Sequence, residues 1–155
     1  MLIAASIAAL HYLALALGIG SAFARGMRLR DLRRTPGEPG VLVRLFRADM
    51  VWGIAAALWI ASGLVRAFGH VEKAPAFYTR NGFFWLKMGL FVAVVLLELV
   101  PMITFIRWRR AHGRGQALAG GPSVGALIRI NDLELAIVVV ILFVATMMAR
   151  GLWLF

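Results

Sequence analysis

The chain contains no cysteine, which excludes disulfides and thiolate metal sites and leaves any metal to His, Met, carboxylates or a cofactor. The motifs of soluble enzymes are also missing: there is no HExxH, no Walker loop and no GxGxxG following a strand. No spacing suggests a serine, histidine and carboxylate acting together. Acidic residues are scarce, with 7 Asp plus Glu against 17 Lys plus Arg and a net charge of +10. In a soluble protein that excess would make nucleic acid the first partner to consider. Polar surface is scarce as well. The chain has 155 residues, is 62% hydrophobic and has a mean hydropathy of +0.86, whereas a soluble domain is ~45–50% apolar. A water-soluble fold of this length cannot hide so much apolar surface.

What the sequence has instead is long apolar runs. Crossing ~30 Å of hydrocarbon takes ~20 mostly apolar residues in a helix, and four stretches qualify, at about 2–24, 46–68, 83–106 and 126–155. The first carries no formally charged side chain, and His11 is its one strongly ionisable group. The second has an uncharged stretch at 50–65 flanked by Asp49 and Arg66, which belong near the two interfaces. The third holds Lys87 near its start, Glu98 well inside and Pro101 near its end, a proline that membrane helices tolerate. The fourth opens with Arg129, Asn131, Asp132 and Glu134 and is then apolar over 135–149. These features predict an all-α integral membrane protein, a four-transmembrane-helix bundle forming a single domain over 1–155.

The basic residues are unevenly placed. Arg25, Arg28, Arg30, Arg33, Arg34, Arg44 and Arg47 fall between the first two spans, and Arg107, Arg109, Arg110 and Arg114 between the last two. The middle connection has Arg66, Lys73 and Arg80, and the tails only Arg150. The positive-inside rule then places both termini outside the cytoplasm. The charge excess is topological, so the expected partner is the lipid bilayer and not nucleic acid. Thr35-Pro36-Gly37-Glu38-Pro39-Gly40 breaks the first connection, and 113–123 is rich in Gly and Ala.

Helices in lipid associate through small residues and polar contacts. On the first span Ala14, Gly18 and Ala22 share one face and Ala16, Gly20 and Ala24 an adjoining one; on the second, Asp49, Trp52, Ala56, Trp59 and Gly63 form a stripe. Ionisable groups at membrane depth turn toward the bundle interior, and the expected orientation sorts them into two layers. An outer, cationic layer holds His11, Arg66, Lys87 and Arg150. An inner, acidic one holds Asp49, Glu98, Asp132 and Glu134 near Arg47 and Arg129. The inner layer reads as structural ion pairs bridged by Asn131, with a proton relay through Glu98 as the functional alternative. Clustered cations of the outer layer call for a negative ligand. There His11 is a candidate metal ligand to haem iron, with Lys87, Arg66 and Arg150 pairing propionates or an anionic substrate. His11 as a hydrogen-bonding link between helices is the structural alternative, and Met102, Met147 and Met148 serve as axial partners or as core filler. His70 and His112 are assigned to loops.

The segments 45–55, 81–88, 98–109, which contains Pro101-Met102-Ile103-Thr104-Phe105-Ile106-Arg107-Trp108-Arg109, and 129–133 resemble a family of bacterial membrane proteins known as domain of unknown function 2214. The likeness covers all four spans and implies the fold, but no activity. A more distant likeness is to the small four-span membrane protoporphyrinogen oxidases, haem enzymes with an essential His in the first helix and a Lys near the start of the third. His11 and Lys87 occupy comparable places. This chain departs from that pattern around both, reading His11-Tyr12-Leu13-Ala14 and Phe84-Trp85-Leu86-Lys87. The resemblance implies haem ligation by His11 and a porphyrin contact by Lys87. The leading expectation is a multi-pass protein of the bacterial inner (cytoplasmic) membrane that binds haem or a porphyrin-like anion in its outer half, with a redox role. Its rivals are a small transporter or channel subunit with a carboxylate relay, working as a homo-oligomer, and a non-catalytic assembly or scaffold protein.

Overall fold

In hydrocarbon every backbone N–H and C=O must be satisfied within its own segment, so apolar runs become helices. The computed structural model describes residues 2–70, 74–118 and 120–153. Four of its helices are long and apolar enough to cross a membrane: α1 (Leu2–Arg34), α2 (Val41–Phe68), α4 (Gly82–Gly113) and α5 (Val124–Ala149). A single turn-and-a-half, α3 (Pro75–Thr79), lies between α2 and α4 and starts on a proline, whose missing N–H costs nothing there. Lys73 of the expected middle connection and residues 154–155 of the expected fourth span lie outside the described residues.

The helices differ from the expected spans at their ends. Arg25 to Arg34, expected in a basic loop, continue α1, which at 33 residues is ~50 Å long. Nothing breaks the helix before Thr35-Pro36-Gly37, and Arg25, Gly26, Leu29 and Leu32 extend its buried face. Leu29 and Leu32 pack with Val41, Leu45, Phe105, Trp108, Leu127 and Ile128. The true connection is short, with Gly37 and Gly40 at positive φ and Thr35 donating to the Glu38 carboxylate at 3.0 Å. Pro101 is buried inside α4, which runs through it to Gly113; His112, assigned to a loop, is thus in the last turn of that helix. At the other extreme, α5 stops at Ala149, well before residue 155, because Gly151 turns the chain at φ 72. The carbonyls beyond the turn are taken by Asn81 Nδ2 (to Leu152, 3.1 Å) and Gly82 N–H (to Trp153, 3.0 Å). Asn81 also caps α4 by accepting from Phe83 N–H at 2.9 Å.

Two ends follow from this up-down order. The terminus end carries the start of α1, the end of α2, the start of α4 and the end of α5; the arginine end carries the opposite tips. α1 packs on α2 and α5, and α5 on α4, while α2 and α4, which would close the ring, hardly approach each other. Small residues allow the closest of these contacts. Ala14, Gly18 and Ala22 are buried, and a Cβ on Gly18 would rest 3.5 Å from the Trp52 ring. The adjoining Ala16 and Gly20 are exposed. Exposed Leu13, Leu17, Ile54, Leu64, Val92, Leu96 and Phe143 cover the outer faces with the apolar side chains a lipid environment demands.

Gly26 marks the tightest crossing of α1 and α5. A Cβ there would sit 2.7 Å from Asn131 Nδ2 and 2.9 Å from Arg30 Nη1. Gly26→Leu is therefore expected to overpack this crossing and cost ~1–3 kcal/mol, read as a lower thermal midpoint in detergent. Gly20→Ala, with nothing within 4 Å of the added carbon, is the control and leaves the midpoint unchanged or slightly raised.

Candidate functional site

Arginine offers five N–H donors in a rigid fork. Arg25 engages all three of its nitrogens while fully buried. Its Nε donates to Asn131 Oδ1 at 2.8 Å, its Nη2 to Glu134 Oε2 at 2.6 Å, and its Nη1 to both oxygens of Glu98 (2.8 and 3.0 Å) and to Asp49 Oδ1 at 3.3 Å. Trp52 lies against the guanidinium, with Cζ 5.4 Å from the ring centroid. Each long helix thus contributes: α1 the arginine, α2 Asp49 and Trp52, α4 Glu98, α5 Asn131 and Glu134. A second arginine closes the cluster, since Arg109 Nη2 donates to Asp49 Oδ2 at 2.5 Å and to the Phe46 carbonyl at 3.1 Å.

The carboxylates expected together are only partly so. Asp49, Glu98 and Glu134 meet, but Asp132 points away and pairs with Arg30 at 2.7 Å on the surface. Arg47 and Arg129, expected as the partners, are exposed and form no ion pair among the described residues. The cations that do the work are Arg25 and Arg109, both assigned from sequence to loops. The usable signal was the small-residue face of α1, which recurs through Ala14, Gly18, Ala22, Gly26 and Leu29 past the supposed end of the span. Arg25 lies on that face.

A second feature occupies the terminus end. A cavity of about 330 Å³ in the gap between α2 and α4 is lined by His11, Trp59, Arg66, Tyr78, Lys87 and Met148 among others. His11 Nδ1 is 2.9 Å from Ser62 Oγ, and its ring stacks on Trp59 at 5.7 Å and 26°. The Ser62 hydroxyl also reaches two helix carbonyls as a donor, Leu58 at 2.6 Å and Trp59 at 3.2 Å. With the hydroxyl turned to Leu58, the bond between the side chains is donated by His11 through Nδ1, which leaves Nε2 as the acceptor nitrogen. Arg66 lies over the Tyr12 ring at 5.2 Å, and Lys87 Nζ is 5.7 Å from the Phe84 centroid. Among the described residues Lys87 has no carboxylate partner. Three of the four cations expected in this layer therefore line one cavity. Arg150, the fourth, caps α5 on the exposed surface and is not part of the lining. Met148 lines the cavity and Met147 is exposed.

A smaller cavity of about 200 Å³ continues toward the arginine end. It shares Leu15, Trp59, Ile60 and Phe91 with the first, and among its lining residues Glu98 is the one that ionises; Met102 lies beside it. The Trp59 and Phe91 rings meet edge to face at 6.1 Å where the two spaces adjoin. No group of three or more His, Asp or Glu suited to a bare metal ion occurs among the described residues.

A family model described as Predicted membrane protein (DUF2214) matches residues 3–152. The chain belongs to this family. No curated protein and no solved structure matches it. The DUF2214 chain is accordingly a multi-pass membrane protein, and a lipid bilayer is its environment.

In this DUF2214 protein Arg25 neutralises carboxylates that have little or no access to water. Arg25→Ala leaves them facing one another and is expected to cost ~3–5 kcal/mol, the range for breaking a buried pair. Arg25→Lys keeps the charge but cannot reproduce the fork, so it is expected to fall between wild type and Ala. Thermal unfolding in detergent followed by circular dichroism checks the order, and a lysine variant as stable as wild type would contradict it.

Proposed function

We propose that this protein binds an amphipathic anion of the porphyrin type, haem foremost, in the cavity at the terminus end, with a redox role. The observation that carries the reading is the meeting of His11, Arg66 and Lys87 on an otherwise apolar and aromatic cavity, with no carboxylate beside Lys87 among the described residues. Clustered cations in low dielectric are stabilised by an anion. The volume of about 330 Å³ lies within the ~300–1,000 Å³ usual for ligand sites, and the smaller cavity extends it. The donor set suits haem: a histidine whose Nδ1 is held by Ser62, the kind of contact that orients an axial imidazole, two cations for propionates, and Met148 on the same wall. Bound haem would supply one-electron chemistry. The protein's own contribution is to orient the imidazole, pair the carboxylates and keep water from the ring.

Placing the arginine end in the cytoplasm of a bacterium, with both termini outside the inner membrane, accords with Arg28, Arg33, Arg34, Arg44, Arg107, Arg110 and Arg114 all lying at that end. The cavity then opens in the outer half.

The deciding measurement is an optical spectrum of protein purified from haem-replete cells, oxidised and then reduced. A near-stoichiometric Soret band that is lost or shifted in His11→Ala is the expected result, and a spectrum showing Trp and Tyr absorbance alone would refute haem ligation. Lys87→Ala is expected to weaken haem binding by about tenfold or more, since hydrogen bonds to charged groups are worth ~1.5–3 kcal/mol.

One observation favours a second reading, a small transporter or channel subunit: the two cavities in series lead from His11 to Glu98. Four helices leave little room for a pore, so this reading requires a homo-oligomer. Flux in proteoliposomes abolished by Glu98→Gln would support it.

A further inference from the structure

The cluster around Arg25 does not balance. Facing it are Asp49 from α2, Glu98 and Arg109 from α4 and Glu134 from α5, so two guanidiniums meet three carboxyl groups. Fully ionised, it would carry one uncompensated negative charge beside side chains with no exposure, since Arg25 and Glu134 are both at 0%. Low dielectric makes such a charge costly. The Arg30–Asp132 pair does not relieve it, because each of its members is satisfied by the other at the surface.

A second observation locates the deficit. Glu134 uses Oε2 on Arg25, while its Oε1 is buried and has no hydrogen-bond partner. A buried oxygen without a donor is rare and calls for an explanation. Glu98 supplies it, because the two carboxyls share one guanidinium, Glu98 on Nη1 and Glu134 on Nη2 of Arg25, so a proton held by either is brought beside the other. Glu98 differs from Glu134 in one respect: its side chain is 21% exposed and lines the smaller cavity.

We propose that the Arg25 cluster is a proton-binding site, holding one proton between Glu98 and Glu134 and exchanging it through Glu98 with the cavity between α2 and α4. One proton satisfies the orphan oxygen and brings three carboxyls into balance with two guanidiniums. Glu98 is the exchanging member because Glu134 is sealed. This site stands on the cluster's own geometry and does not depend on what fills the cavity at the terminus end.

The experiment is infrared difference spectroscopy of the full chain in phosphatidylcholine vesicles, titrated with pH in H2O and D2O. The expected result is a protonated-carboxyl C=O band at neutral pH, shifted on deuteration and corresponding to one proton per chain. In Glu98→Gln and in Glu134→Gln it is lost, because either change leaves two carboxylates for two guanidiniums. Absence of the band from wild-type protein at neutral pH overturns the proposal, as does a band that survives in both variants. Should the variants fail to fold, the wild-type band is mapped with dicyclohexylcarbodiimide, an apolar reagent that adds to protonated carboxyls. An adduct on Glu98, found by peptide mass and lost as pH rises, establishes exchange through the cavity. A protein that shows the band but no Glu98 adduct overturns that route.

Discussion

A guanidinium with no contact with water governs how this bundle is built. Arg25 is sealed among four helices, and an arginine in that position is tolerable only if every donor and the charge itself are met. Meeting them dictates much else. Carboxyls must arrive from α2, α4 and α5 at once, which sets the register of three helices against α1. Asn131 must reach Nε, so α5 crosses α1 where Gly26 leaves no side chain in the way. Trp52 must present its ring to the guanidinium, and Gly18 lies against the edge of that same ring. Helix association in lipid has no hydrophobic drive of its own, so a polar centre touching every long helix has an ordering role that apolar packing alone would not give.

The legible part of the structure was the part governed by composition. Apolar runs longer than the hydrocarbon core is thick can only be helices, and the stripe Asp49, Trp52, Ala56, Trp59 and Gly63, buried at Trp52 and half-buried elsewhere, followed from helical spacing. Helix ends were illegible because charge was read as loop. Arg25 to Arg34 look like a cytoplasmic segment by the positive-inside rule, yet a helix can carry its arginines well past the hydrocarbon when no proline or glycine pair interrupts it. α5 failed in the opposite direction: residues after Ala149 are apolar, but a turn at Gly151 hands their carbonyls to Asn81 and Gly82. Partner identity was the harder problem. Depth along a helix places Glu98, Asp49 and Glu134 at similar heights, whereas rotation decides that Asp132 faces outward to Arg30 and that Arg25 faces inward. For α5 the two acids are only two residues apart, so roughly half a turn separates a surface pair from the core of the site.

The two ends of the bundle use charge in opposite ways. At the arginine end cations and carboxyls are interlocked, three carboxyl groups against two guanidiniums. At the terminus end His11, Arg66 and Lys87 line an open space whose remaining walls are aromatic and aliphatic. The gap that holds the cavities exists because α2 and α4 are pinned mainly at the arginine end, by Asp49 and Arg109, and elsewhere meet through ring edges such as Trp59 on Phe91 and Phe68 on Phe84.

Glu98 belongs to both regions, and that is the feature with most bearing on mechanism. It binds Arg25 through both oxygens and also lines the smaller cavity. A neutral Glu98 accepts less strongly from Arg25 than an ionised one, so protonation there changes the cluster that holds α2 against α4. A ligand in the gap would meet the same side chain from the other side. Two equilibria that bear on one residue are linked, and the linkage is reciprocal: a ligand that favours one charge state of Glu98 must itself bind more tightly when Glu98 is in that state. A proton held at Glu98 and a ligand held in the adjoining cavity would therefore be linked through that one side chain, although neither requires the other.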